Sequence, residues 1–309
     1  MGTVLAPDTT RAREQTRARY PDRSGFVTRD GVRTYFEVYG HGEPTILFAP
    51  TWTIVTSRVW KAQIPYFARR HRVVTFDPRG NGRSDRPSSA AAYAEPEFAK
   101  DLIAVMDEAE VERAVVVSLS MGAQRALIAA ADCPERVGGL VFIGPAIPLG
   151  ERLPERSTVD FDVENAPDEG WARYNRHSWR RDYHGFLEFF FDRCFTEPHS
   201  TKQIEDAVGW GSETDPETLI LTEDPPELDE GALRALCQRV RCPALVIQGL
   251  EDAITGPGRG VALAEAIAGA RLVTIEGGGH INNARDPVLI NLLIRDFVRS
   301  LKSGDHANA

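Results

Sequence analysis

A chain of 309 residues, 42% hydrophobic and 26% charged, can bury a sizeable core, which excludes wholesale disorder. Its 36 basic against 45 acidic residues leave a net charge of −9, a sign that opposes nonspecific attraction to nucleic acid or an anionic membrane. No run approaches the ~18 apolar residues of a bilayer span, and the first residues lack the apolar stretch of a signal peptide. The four cysteines, Cys133, Cys194, Cys237 and Cys242, show neither a disulfide-framework nor a metal-binding spacing. Reduced thiols in a cytoplasmic protein are therefore expected.

Residues 1–24, with Arg11, Arg13, Arg17 and Arg19 close together, read as a flexible, solvated arm. The run 31–40 is β-branched and aromatic between glycines, which predicts a strand. Short continuous apolar runs follow at 45–49, 72–76, 114–118, 140–144, 244–249 and 271–276. Runs apolar on both faces suit the buried strands of a parallel sheet. Helical segments lie between them, at about 57–69, 96–110, 121–132, 259–268 and 286–302. The alternation predicts an α/β fold, a mostly parallel sheet with helices on both faces.

Residues 149–235 break the rhythm. They hold no β-type run, but many aromatics and scattered prolines. A structureless loop of that length is uncommon, so the segment reads as an inserted α-helical cap over one end of the sheet. The core then comprises 25–148 and 236–303, with 304–309 as a tail.

The strongest chemical signal is A-V-V-V-S-L-S-M-G-A-Q-R-A-L (114–127), where a buried strand runs directly into an alanine-rich helix. Ser120 sits on the turn between them, flanked by the small residues Ser118 and Gly122. Such a turn pushes a hydroxyl beyond the sheet edge, at the positive end of the helix. A serine hydroxyl needs a base to act as a nucleophile at neutral pH. Of seven histidines, His280 follows the last predicted strand on a loop with three glycines. Asp252, just past the strand at 244–249, is the candidate to orient it. Glu251 is its competitor, because side chains alternate along extended backbone and only one of the two faces His280 easily.

The strand-turn-helix around Ser120 and the order Ser120, Asp252, His280 resemble the α/β-hydrolase family, in its serine-nucleophile, helical-cap branch of esterases and lactonases. Ser118 stands where that family more often has glycine. The segment 45–60 looks like its oxyanion segment, and F-D-P-R-G-N-G-R-S-D (76–85) is similar to its D-x-R-G-x-G-x-S turn, which makes Asp77 and Arg79 structural. The resemblance implies an oxyanion hole formed by the N–H of Met121 and one N–H from the 50–52 loop. Ala49-Pro50 replaces the common His-Gly, and proline has no N–H, so Thr51 is the second donor and Trp52 the alternative.

It further implies a serine hydrolase that cleaves a carboxylic ester or lactone of a small to medium apolar molecule through an acyl-enzyme, with neither metal nor organic cofactor. Trp52, Trp171, Trp179, Tyr183, Phe189, Phe190 and Trp210 are the candidates to line its pocket. A carbon–carbon bond hydrolase, thioesterase or acyltransferase would use the same triad, and a ligand sensor could retain it unused. The only partner expected is the small-molecule substrate, and the oligomeric state is not legible.

Overall fold

The computed structural model describes residues 17–157, 160–164 and 169–304. The chain forms strands β1 (Arg23–Arg29), β2 (Val32–Tyr39), β3 (Thr45–Phe48), β4 (Val73–Phe76), β5 (Ala114–Leu119), β6 (Val137–Ile143), β7 (Ala244–Gly249) and β8 (Arg271–Ile275). They make one eight-stranded sheet in the order β1-β2-β4-β3-β5-β6-β7-β8. β2 pairs antiparallel with both β1 and β4, and all neighbours from β4 to β8 run parallel. The expected mostly parallel α/β sheet is the fold observed.

The helices are α1 (Ile64–Phe67), α2 (Glu95–Glu108), α3 (Gly122–Asp132), α4 (Pro154–Ser157), α5 (Arg176–Arg181), α6 (Tyr183–Cys194), α7 (Thr201–Gly211), α8 (Pro216–Leu221), α9 (Glu230–Arg239), α10 (Pro257–Ala266), α11 (Asn282–Arg285) and α12 (Pro287–Gly304). Alternate residues of the central strands enter two separate cores. Ile46, Phe48, Val117 and Ile143 pack on one side with Ile290 and Ile294 of α12. Leu47, Val116 and Phe142 pack on the other with Leu102 of α2 and Leu127 of α3. This division is why the strands read as unbroken apolar runs.

Three expectations are corrected. The arm predicted over 1–24 is ordered where it is described: β1 begins at Arg23, and Arg17 lies buried against Glu37 at 2.8 Å. The turn joining β1 to β2 is Asp30-Gly31, both at positive φ, which matches the right-handed twist of the two strands. The single helix expected over 57–69 is a 3₁₀ turn (Ser57–Trp60) followed by the short α1. Pro65 in the first turn of α1 has no N–H to continue a helix begun upstream. Finally, the boundary at 235 falls inside α9, whose Leu233 and Cys237 join the core of α3 and α10. Arg11, Arg13 and residues 305–309 lie outside the described residues.

Between β6 and α9 the described residues contain five helices and a further 3₁₀ turn (Gly170–Arg173), and no strand. Trp179, Phe186, Phe190, Phe191 and Trp210 from this segment merge with the core on the α12 side of the sheet.

Candidate active site

β5 is fully buried and leads directly into Ser120, a non-glycine residue at φ 53°. Backbone held in that region costs about 1–3 kcal/mol and must be imposed by its surroundings. Ser120 N–H donates to Ile143 O (3.0 Å), and Ser120 O accepts from the N–H groups of Ala123 and Ala146 (both 3.0 Å). Ser118, buried in the strand below, donates its hydroxyl to Val141 O of β6 (3.1 Å), so serine is accommodated at that position.

Gly122 opens α3, and a Cβ there would lie 2.7 Å from Pro50 O. Its missing side chain therefore lets the 50–52 loop rest on the turn. Arg125, one helical turn further on and buried, fixes that loop from below. Its guanidinium donates to the carbonyls of Thr51 and Pro50 and pairs with Glu95 at 3.0 Å. The turn at 76–85 holds the loop from the other side. Asn81 donates to Thr53 O (2.6 Å), and Arg79, itself paired with Asp101 at 2.7 Å, accepts at its carbonyl from Thr53 Oγ1 (3.2 Å). The N–H groups of Thr51, Trp52 and Met121 donate to no acceptor among the described residues.

Asp252 and His280 come from the loops after β7 and β8 and form a buried pair, Nδ1 to Oδ2 at 2.8 Å. Asp252 also accepts from the N–H groups of Ile254 (2.9 Å) and Thr255 (3.0 Å), Thr255 Oγ1 (2.9 Å) and Gln248 Nε2 (3.2 Å). Burial works to raise the pKa of this carboxyl. The charge of His280 and the hydrogen bonds from His280, Thr255 and Ile254 outweigh burial and hold it well below the usual carboxylate range. Glu251, in the turn after β7, is exposed, so of the two neighbours only Asp252 meets His280.

Gly144 links this pair to Ser120. It follows Ile143, the acceptor of Ser120 N–H, and its absent Cβ would lie 3.1 Å from His280 Nδ1 and 3.4 Å from Asp252 Oδ2. The bond to Asp252 occupies Nδ1, which leaves Nε2 as the ring nitrogen free to take a proton.

Ser120 and Met121 open onto a cavity of about 210 Å³. Its apolar wall includes Trp52, Phe161, Trp171, Tyr174 and Phe190, and its polar wall includes Arg152, Arg156, Arg259, Glu223 and Glu227. Trp52 joins the 50–52 loop to the helical segment, with ring centroids 5.4 Å from Phe190 and 5.9 Å from Tyr174, and its Nε1 donates to Thr222 Oγ1 (2.8 Å). Burial pushes the Glu223 carboxyl up to about 7, against the pull of the Tyr174 hydroxyl (2.9 Å) and the charge of Arg156.

Across residues 41–287 the sequence matches the family model described as alpha/beta hydrolase fold. The chain belongs to the α/β-hydrolase family. Among its relatives is a 3-oxoadipate enol-lactonase from Acinetobacter baylyi, 25% identical over 86% of this chain and 92% of that one. A rhodomycin D methylesterase from a Streptomyces species is 27% identical over 82% and 91%. A solved structure described as Est816, an N-acyl homoserine lactone degrading enzyme, superposes with a TM-score of 0.73 at 27% identity, covering 88% of this chain and all of that one.

In this α/β-hydrolase, three of the seven rings expected around the pocket line the cavity: Trp52, Trp171 and Phe190. The other four face elsewhere. Trp179 and Trp210 are fully buried in the core, the Tyr183 hydroxyl donates to Gly211 O (3.1 Å), and Phe189 packs edge-on against Trp171 at 5.3 Å. The helices here are short, and their rings are divided between anchoring the segment and facing the cavity. Sequence reasoning missed Phe161, Tyr174 and the whole charged wall. Arg152 and Arg156 in E-R-L-P-E-R, at the start of the insertion, and Arg259 at the start of α10 were its visible traces. No histidine among the described residues lines the cavity: His280 lies behind its wall with Asp252, whose neighbours Ile254 and Thr255 do line it.

Proposed function

We propose that this hydrolase cleaves a carboxylic ester or lactone through an acyl-enzyme intermediate. Ser120 Oγ attacks the carbonyl carbon while His280 Nε2 takes its proton, and His280 returns that proton to the departing alkoxide. Asp252 holds the proton on Nδ1 and stabilises the imidazolium that forms. The N–H groups of Met121 and Thr51 stabilise the oxyanion, with Trp52 N–H as the alternative to Thr51. Water, activated by the same His280, then releases the acid and restores Ser120.

The observation that carries this reading is the placement of a strained serine turn and a buried His–Asp pair on either side of Gly144, at one end of the sheet. Lactonase and esterase names among the relatives support the ester or lactone as the bond cleaved. The test is turnover of a panel of 4-nitrophenyl esters and lactones. Ser120→Ala is expected to lower kcat on the order of 10⁴-fold or more while remaining folded. A folded Ser120→Ala protein with near-normal turnover would overturn the serine mechanism. Binding of the panel without turnover by the wild type would favour a ligand sensor.

A further inference from the structure

Three guanidinium groups, those of Arg152, Arg156 and Arg259, share the cavity of Ser120 with two carboxyl groups. Both carboxyls are already engaged. Glu227 pairs with Arg152 at 2.9 Å near the surface, and Glu223 accepts from the Tyr174 hydroxyl at 2.9 Å. Arg156 makes no close ion pair among the described residues, although its charge acts on Glu223. It donates to the neutral carbonyl of Ile254 (2.8 Å) and lies over the rings of Trp171 and Tyr174 at 4.8 and 5.0 Å. The side chain of Arg259, in the first turn of α10, has neither an ion pair nor a hydrogen bond among the described residues, and its Nε is buried without an acceptor.

A buried donor left unmet costs about 1–3 kcal/mol, more when charged. Burial, with the like charges of Arg156 and Arg152, also disfavours the charged form of Arg259. An anion brought in from outside would relieve both the unmet donor and the like-charge repulsion. Glu223, pushed up to about 7, carries only part of a negative charge at neutral pH, so the three guanidinium groups leave more than one positive charge over against Glu227 and Glu223. A carboxylate fits the sign of this charge and the planar fork of a guanidinium.

We infer that the substrate carries a free carboxylate in addition to the bond that is cleaved, and that Arg259, assisted by Arg156, binds it. The inference rests on the hydrolase reading above and names the class of molecule that enters the same cavity.

The test compares hydrolysis of mono-4-nitrophenyl glutarate with that of its methyl ester, in the wild type and in Arg259→Gln. The wild type is expected to favour the free acid at least ~10-fold in kcat/KM, and Arg259→Gln to lose that preference. Arg259→Lys, which keeps the charge but not the fork, should retain part of it. Arg259→Met serves the same comparison if the glutamine variant does not fold. A wild type that favours the methyl ester, or a preference unchanged in the variants, overturns the subsite. Inorganic phosphate inhibiting as well as glutarate would overturn the carboxylate assignment. If neither ester is turned over, the hydrolase reading has failed, and calorimetric titration of Ser120→Ala with glutarate judges the subsite alone. Binding that the added Arg259→Gln change weakens at least ~10-fold supports it, and absence of binding removes it.

Discussion

Asp252 and Glu251 are neighbours in sequence and share a charge, yet only Asp252 is buried, and it accepts five hydrogen bonds. Asp252→Asn would leave the shape intact but offer His280 an amide in place of a carboxylate. Its kcat is expected to fall on the order of 10⁴-fold, as in triads where the tautomer is lost. Glu251→Gln should leave the rate near the wild-type value. The reverse order in steady-state kinetics would mean that Glu251 orients the base.

Glu223 gives a pH-dependent expectation. Its carboxyl titrates at about 7 in the folded protein, above the ordinary value near ~4.3 of an unfolded chain. Between those two values the folded state holds a proton that the unfolded state has released. Stability therefore falls as pH rises through this window and is level above it. Glu223→Gln keeps an acceptor for Tyr174 and has nothing to ionise. Its stability relative to wild type should grow between about pH 4.5 and 7, as read by urea denaturation. Parallel curves for the two proteins would show that Glu223 titrates normally.

At the scale of elements, the meeting of α3 with the 50–52 loop depends on one missing methyl group. Gly122→Ala would place a Cβ 2.7 Å from Pro50 O, a backbone atom held by Arg125. The loop must then lift and carry the N–H groups of Thr51 and Trp52 with it. A displacement of about 1 Å at such a donor is expected to lower kcat about 100-fold, with circular dichroism unchanged. Wild-type kcat in this variant would show that the loop amides take no part.

The helices between β6 and α9 divide their rings between two tasks. Trp171 faces the cavity half-buried, whereas Trp179 is fully buried among Phe161, Tyr174 and Phe186. Trp179→Ala is expected to cost ~3–5 kcal/mol of folding free energy. Trp171→Ala should change the ranking of ester substrates with a smaller loss of stability. A scan in which both variants altered only the melting temperature would make Trp171 an anchor as well.

For the molecule as a whole, local pattern was enough wherever one stretch of chain decides its own environment. The strands from 31 to 276, the turn at Ser120 and the candidates Asp252 and His280 were legible because each depends on a run of a few residues and its immediate neighbours in the chain. β1 was missed because R-S-G-F-V-T-R is half-exposed and mixed in character, although the D-G after it is a hairpin signal. What only the tertiary structure decided was the company each side chain keeps. Arg152 and Arg156 stand about a hundred residues from Arg259, and nothing local tells a solvated arginine from one aimed into a cavity. Phe189, Phe190 and Phe191 are consecutive and chemically identical, yet one packs on Trp171, one lines the cavity and one is core. Composition and periodicity place a residue on an element, while burial and counter-charge are set by segments distant in sequence. The position of Ser120 could therefore be read from the chain, and the charge of the cavity in front of it could not.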